Sequence, residues 1–553
     1  MKSVKHDWGT LYETDVLILG TGASGIGAAL NSAGKGLDVL MVGKGTLESS
    51  GSLGGGNDHF MAVLDTDEPY DNKESFVAFY MKSAYGYREK QIEQWHDALK
   101  PCVKILEECG VEFLRRDDGF YFRSVGFGQP GAWWLHIPNG RKIKRGLAKR
   151  VRSLGVTVLD NFQITKLFKK NGKIAGCMGF NVLTGEVSAI RCRAAVNSLG
   201  WHAQRCTNNS SHNPYNCWFT PFTTGSYFTL AYDIGAPIVN ADISCRGTIL
   251  PKGWGAPGMN GINNMGGHEL NALGERFMFK YDPMGENGIR RNQMMGTNQQ
   301  QVEGYGPPFY MDMRHLNEHD VHHLQYVLMP ADKATYLDYC KARGIEFSKY
   351  PLEVEVGELS LSGMLLADDN LETPVRGLYA GCNFTSFSGA MCGGFVAGGH
   401  AAENAPSLEM AGPSDEEILA ERDRILAPLN NTSGTMTHSD FEDPIRQVMD
   451  YYAKFRRNMP GMAVALDRLN FINGYRDRVR ANNLHDLMRI HEAFEILELC
   501  RIHLDACLQR KESGRGMYVL TDYPEKDPAL AKGLVVVKGD EGPVFSWLEP
   551  AGK

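Results

Sequence analysis

Apolar residues follow two rhythms along this chain, and the switches between them mark its elements. Thr14-Asp-Val-Leu-Ile-Leu-Gly20 and Leu37-Asp-Val-Leu-Met-Val42 are short, nearly continuous apolar runs that predict buried strands, with a helix starting near Ala23 between them. Residues 90–110 place Ile92, Trp95, Leu99, Val103 and Leu106 at helical spacing, an amphipathic helix that Pro101 is expected to kink or split. A glycine-rich aromatic stretch, 119–140, carries Trp133, Trp134 and His136 as core or as a stacking surface. A helix from Arg145 to Leu154 precedes short strands near Val156 and at 164–168, 174–180 and 187–191, with turns at Asn171-Gly172 and Thr184-Gly185. Residues 194–200 read as a separate buried strand. After Gly235-Ala-Pro237 the texture changes, and 245–349 is rich in Gly, Asn, Met and Pro. The strand pattern returns at Gly377-Leu-Tyr-Ala-Gly-Cys382, a helix is expected to open at Gly393, and 413–553 reads as helical to about Leu508 with an irregular tail.

The turn between the first two strands is Gly20-Thr-Gly22-Ala23-Ser24-Gly25, so strand, G-x-G-x-x-G, helix and strand follow one another, the context in which this motif binds a dinucleotide. Gly20 makes the tight turn, Gly22 admits the pyrophosphate to the backbone, and Gly25 lets helix and strand approach. The amides near Ala23 and Ser24 open the helix, where phosphates meet the positive end of its dipole. The acid that ordinarily ends the second strand and holds a ribose is missing; Gly43 and Lys44 stand there, and backbone groups are expected to serve instead. The predicted architecture is α/β: a Rossmann-like dinucleotide-binding domain at 1–244 and 350–412, an inserted α+β capping domain at 245–349, and a C-terminal helical domain at 413–553.

The 553 residues exceed one core, and a net charge of −7 with pI near 6.2 gives no support for a nucleic-acid partner. No apolar run reaches the ~18 residues of a membrane span, and the first residues lack the apolar core of a signal peptide, so a cytoplasmic location is expected. The 12 cysteines show no C-x-x-C pair, so they read as small buried residues and any iron–sulfur cluster is expected on another subunit.

Several landmarks occur in a telling order: the Gly-rich turn, Gly51-Ser-Leu-Gly54-Gly55-Gly-Asn57, Gly274-Glu-Arg-Phe-Met278, Tyr310-Met-Asp-Met-Arg-His-Leu316, Gly377-Leu-Tyr-Ala380, and Glu512-Ser-Gly-Arg-Gly with Asp522-Tyr-Pro524. Together they resemble the flavoprotein subunits of fumarate reductase and succinate dehydrogenase, and the related adenylylsulfate reductase α subunit, over nearly the whole chain. The resemblance implies FAD, a cap inserted into the FAD domain, and a partner in the form of a ferredoxin-like iron–sulfur subunit. It places cofactor contacts at the first turn, at Gly54, Gly55 and Asn57, at Asn383, and at Gly393 and Gly394, whose amides would face the flavin. No histidine stands near Glu48-Ser49-Ser50, where succinate dehydrogenases attach FAD covalently, so the FAD is expected to be non-covalent.

The departures bear on substrate. Where the dicarboxylate enzymes carry a substrate-binding arginine this chain has Met391; their histidines fall at Glu358 and near Gly247, and their Glu-x-x-Arg proton relay at Asn260 and Asn263. Fumarate and succinate are therefore poor candidates. Arg291 falls at the proton-delivering arginine, although Arg290-Arg291 is equally readable as a solvated or anion-binding pair. Pro251-Lys-Gly-Trp-Gly-Ala-Pro-Gly258 resembles the active-site segment of the sulfur enzyme, with Lys252 in place of an arginine and Ala390 in place of a histidine beside the flavin. His400 is a candidate acid, or a structural histidine. Trp254, Asn57, Glu358 and Met391 are the expected substrate contacts, with Trp218, Phe219 and Phe222 in the lining. The expected activity is FAD-dependent reduction of an activated C=C bond in a substrate that is not a simple dicarboxylate. The alternatives are a reaction on a sulfur compound and an FAD electron carrier without its own substrate.

Overall fold

The computed structural model describes residues 2–83, 86–209, 211, 213–254, 259–333 and 335–550, without the side chains of residues 83, 259 and 260. The strand β1 (Lys2–His6) runs antiparallel to β2 (Gly9–Leu19), which pairs in parallel with β3 (Val39–Val42) and with Val187–Asn197. These belong to an eight-stranded sheet that continues through Thr157–Leu159 on one side and through Lys173–Asn181 and Phe162–Lys170 on the other. The strands are buried on both faces because their apolar runs are unbroken: Val16, Leu17, Ile18 and Leu19 are all fully buried.

The predicted break between 191 and 194 is absent. Val187–Asn197 is one strand that pairs antiparallel with Lys173–Asn181 in its first half and parallel with Leu378–Ala380 in its second. Arg191 and Arg193 gave it the look of a break, but they reach out to Glu13 at 3.7 Å and Asp15 at 2.9 Å while their backbones stay in the ladder. Pro101 likewise fails to split its helix, which runs from Glu89 to Glu108.

The helix α1 (Ala23–Ser32) packs on the sheet and on a second helix, Ser386–Asn404. That second helix opens at Ser386, not at Gly393. A Cβ on Gly27 would lie 2.1 Å from the Met391 carbonyl, one on Gly394 1.9 Å from the Ser24 carbonyl, and one on Gly398 2.4 Å from that of Ala28. The two backbones therefore touch, and the small residues are there for the contact.

A smaller four-stranded sheet, Ile249–Pro251, Leu352–Val356, Phe309–Asp312 and His268–Leu270, lies within the middle of the sequence. The helices Asp415–Asn430, His438–Tyr452, Met459–Asn473 and Leu484–Cys507 follow. The tail is more regular than its composition predicts: Gly533–Lys538 and Pro543–Leu548 form a hairpin that pairs with Ile238–Val239. Arg510 anchors the chain before it, buried against Asp242 and donating to the carbonyls of Leu530 and Lys532. Among the described residues no helix is long and apolar enough to cross a membrane.

Candidate functional site

One cavity of about 1290 Å³ runs from the end of β3 past the start of α1 and under the segment that carries Arg290 and Arg291. Gly20, Thr21, Gly22, Ala23 and Ser24 line it, as do Gly43, Lys44, Ser49 to Leu53, Gly56 and Asn57. Gly20 has φ +105° and a Cβ there would strike the Ser198 carbonyl at 2.3 Å; Gly25 has its Cβ position 1.9 Å from the Gly20 carbonyl. Around Gly22 the space is open, nothing lying closer than 3.9 Å. No side chain caps α1, whose N-cap is Gly22, so its first amides face the cavity unpaired with side chains. This is the cradle that a diphosphate requires, and the glycines fit FAD at this end.

The remaining predicted cofactor residues divide. Asn383 lines the cavity, but its amide is taken up by Tyr227 and by the backbone of Leu365, and its carbonyl by Tyr87. Asn57 lines it with its Oδ1 accepting from the His59 amide. Gly54 and Gly55 stand back: Gly54 folds onto the Ser49 carbonyl, and Gly55 faces Lys333. Gly393 and Gly394 lie mid-helix against Gly381 and Ser24 and do not line the cavity. Lys44 is tied to Glu492 at 2.5 Å.

Of the predicted catalytic and substrate residues, Arg291 lines the cavity, with Nε donating to the Gly516 carbonyl at 2.9 Å. Burial holds it below the ordinary arginine range. Lys252 is half-exposed, paired with Glu353 at 2.5 Å and outside the cavity. His400 meets Gln94 at 2.7 Å in a separate shallow depression. Trp254 packs on Tyr336 and Tyr339, and Met391 is fully buried in the core, so neither reaches the lining. Glu358 is also buried and accepts from the Trp218 amide at 2.6 Å, which positions a lining residue from behind. Burial raises its pKa. Trp218, Phe219 and Phe222 do line the cavity. Asn263 donates to Gln293, the Asn260 side chain lies outside the described residues, and so do residues 255–258 of the segment compared with the sulfur enzyme.

Arg246 and His202 were not singled out in the sequence. They share one face of a three-stranded sheet in which His202 opposes Ser362 and Arg246 opposes Ser360, while Ala203, Leu361 and Cys245 form the other face and are buried. Period-two alternation thus turns Arg246, His202 and Ser362 into the cavity. The two-residue strands are too short for their alternation to be recognised without the register. Among the described residues no carboxylate pairs with Arg246; its guanidinium lies 4.6 Å from the Trp201 ring centre. His202 stacks on Phe219 at 4.2 Å, and burial, with Arg246 adding to it, pushes its pKa well below the usual value, so it is neutral at pH 7. Arg290 packs over Phe127 and donates to the Thr248 hydroxyl; burial first, and the Arg246 charge second, push it down to about 9.

The comparisons agree with this geometry. Residues 15–431 match the family model described as an FAD binding domain. The chain is 25% identical to an uncharacterised FAD-dependent oxidoreductase of Methanocaldococcus jannaschii, covering 97% of this chain and 98% of that one. It is 22% identical to a fumarate reductase (CoM/CoB) subunit of Methanothermobacter marburgensis, covering 95% and 97%. Adenylylsulfate reductase from Archaeoglobus fulgidus has the same fold, with a TM-score of 0.86 at 21% identity over 98% of this chain and 96% of that one. The chain belongs to the FAD binding domain family, and it is an FAD-dependent oxidoreductase of the group that holds the fumarate reductase, succinate dehydrogenase and adenylylsulfate reductase flavoproteins.

Proposed function

We propose that the protein reduces an activated C=C bond in a small conjugated substrate that carries an anionic group, and that a ferredoxin-like iron–sulfur subunit supplies its electrons. The observation that carries the reading is Arg246: a guanidinium turned into an aromatic cavity, with no carboxylate paired to it among the described residues, offers a planar, two-pronged site for a carboxylate or a similar anion. The walls of Trp218, Phe219 and Trp201 suit a flat body. FAD, when bound, supplies the hydride at N5. Arg246 orients the substrate, neutral His202 offers its imidazole to a carbonyl, and the Arg290–Arg291 pair delivers the proton, burial lowering the pKa of both guanidiniums. The partner is proposed from the family resemblance and from the subunit status of the methanogen relative.

A sulfur substrate is favoured less, because Lys252, which stands for the arginine of that branch, is paired with Glu353 away from the cavity. The test is anaerobic reoxidation of the reduced flavin by cinnamate, fumarate, cyclohexenone and adenylylsulfate. Cinnamate should reoxidise it fastest, Arg246→Gln should slow that reaction about 10- to 100-fold, and the same variant should leave the neutral enone unaffected. Reoxidation by none of these compounds would leave the electron-carrier reading in possession.

A further inference from the structure

Lys144 plays no part in the reading above, and its position is unusual. It lies on the helix Ile143–Ser153, fully buried, with Nζ donating to the carbonyl of Thr21, inside the glycine turn. The Ser50 hydroxyl donates to the same oxygen at 3.2 Å. Among the described residues no carboxylate contacts the ammonium. The carboxylates whose fields reach it are Glu48 and Asp160, and each is already paired with Arg152, at 2.9 and 3.1 Å. The other cations of its own helix, Arg145, Lys149, Arg150 and Arg152, are exposed. A buried ammonium without a contacting anion is a costly arrangement unless something compensates it.

The compensation lies across one peptide. The Thr21–Gly22 unit is planar, so its C=O and N–H point in opposite directions. With the Thr21 oxygen turned toward Lys144, the Gly22 N–H points the other way, where Gly22 lines the cavity. No acceptor for that N–H occurs among the described residues. A cation bonded to the carbonyl polarises the peptide and strengthens the N–H as a donor. The Lys144 charge also stands close behind the start of α1, where its dipole already favours an anion.

We infer that Lys144 is the counter-charge of the FAD diphosphate, acting through the Thr21–Gly22 peptide, and that its protonation sets how tightly the cofactor is held. Lys144 is a positioning residue in this account, and the inference is independent of which substrate the enzyme takes.

Burial pushes the Lys144 pKa down to about 7 in the cofactor-free chain, against the opposing pull of Glu48 and Asp160. A bound diphosphate favours the charged form and raises that value. The affinity for FAD is therefore full below about pH 7, falls as the pH rises toward the pKa of the loaded protein, and is level above it. Each unit by which FAD raises the pKa is a tenfold change in affinity.

The test uses the full chain stripped of flavin and titrated with FAD between pH 6 and pH 9.5. Quenching of flavin fluorescence gives the affinity, and calorimetry in two buffers of different ionisation enthalpy gives the protons taken up. The wild type should bind about tenfold more weakly at the alkaline end and take up a fraction of a proton at pH 8. Lys144→Met should bind weakly throughout without that pH dependence, and Lys144→Arg should remain tight to pH 9.5. A wild type with a flat profile and no proton uptake overturns the inference, as does a Lys144→Met variant that keeps the wild-type profile. The wild-type measurement decides even if Lys144→Met does not fold.

Discussion

Glu492 joins the C-terminal helices to the cofactor end of the sheet, and removing its charge should cost more than any single surface change. Its carboxylate lies fully buried on Leu484–Cys507, 2.5 Å from Lys44, 2.7 Å from Arg205 and 2.6 Å from Arg489. Burial alone would raise its pKa, but the three cations overcome burial and hold it down to about 2, against 4.5 when free. A depression of that size corresponds to about 3 kcal/mol of stability. Because the folded pKa is the lower one, this contribution is complete above pH 4.5 and disappears as the pH falls from 4.5 toward 2. Glu492→Gln keeps the shape and removes the charge, leaving three buried cations short of one counter-ion. The expected loss is therefore about 3–5 kcal/mol at pH 7, with Lys44 freed from its tether beside the cavity. Urea unfolding followed by circular dichroism and by flavin fluorescence measures both effects. In a pH series the wild type should lose its advantage over the variant only below pH 4.5. A loss under 1 kcal/mol at pH 7, or an advantage that vanishes well above that pH, would show that the cations do not depend on Glu492.

Gly394→Ala places a methyl group 1.9 Å from the Ser24 carbonyl, so α1 and its neighbour must move apart. The expected outcome is about 3 kcal/mol of lost stability together with weaker FAD binding, read by urea unfolding and flavin titration; unchanged values for both would refute backbone contact between the helices. His136, His491 and His503 are buried, and burial pushes them down to about 4, 4 and 3, so they remain neutral in the fold. Their contribution is whole above pH 6.5 and is lost as the pH falls below it, since only the unfolded chain takes up the protons. Together these three should contribute about 4 kcal/mol per pH unit near pH 5 to the acid loss of stability, to which buried His202 adds, and His491→Gln should remove about a third of the three's share.

The parts of the fold that were legible in the sequence are those where one segment supplies both the pattern and its partner. The βαβ unit is of this kind: two apolar runs and the glycine turn lie within one continuous stretch, and two of its three glycines are explained by an atom that their Cβ would strike, Ser198 for Gly20 and the Gly20 carbonyl for Gly25, while Gly22 leaves the open space at the cavity. Errors arose where a residue's role depends on a distant chain segment. Gly393 and Gly394 look like the start of a helix whose amides face the flavin until Ser24 and Gly381 are placed against them. The tail looks irregular because its partner strand, Ile238–Val239, lies some three hundred residues earlier and is only two residues long.

The same principle explains why part of the cavity's lining was missed. Alignment by motif asks which residue replaces a known ligand at its own position; it returned Arg291 and Asn57, which line the cavity, but also Met391, Glu358 and Lys252, which do not. A further charge, Arg246, comes from a different strand. Residues 245 and 246 were read as the start of the cap, yet the pairing of Arg246 with Ser360 places its side chain on the His202 face. On the proposed reading the anion is held by Arg246, from a different strand than the one motif alignment points to. If Arg246 holds the anion, the position of that group relative to the double bond decides which substrates fit. The separation between carboxylate and double bond is accordingly the property to vary when substrates are screened: if cinnamate and the 3- and 4-carboxy derivatives of benzylideneacetone are reduced at rates that ignore that separation, Arg246 does not set the register.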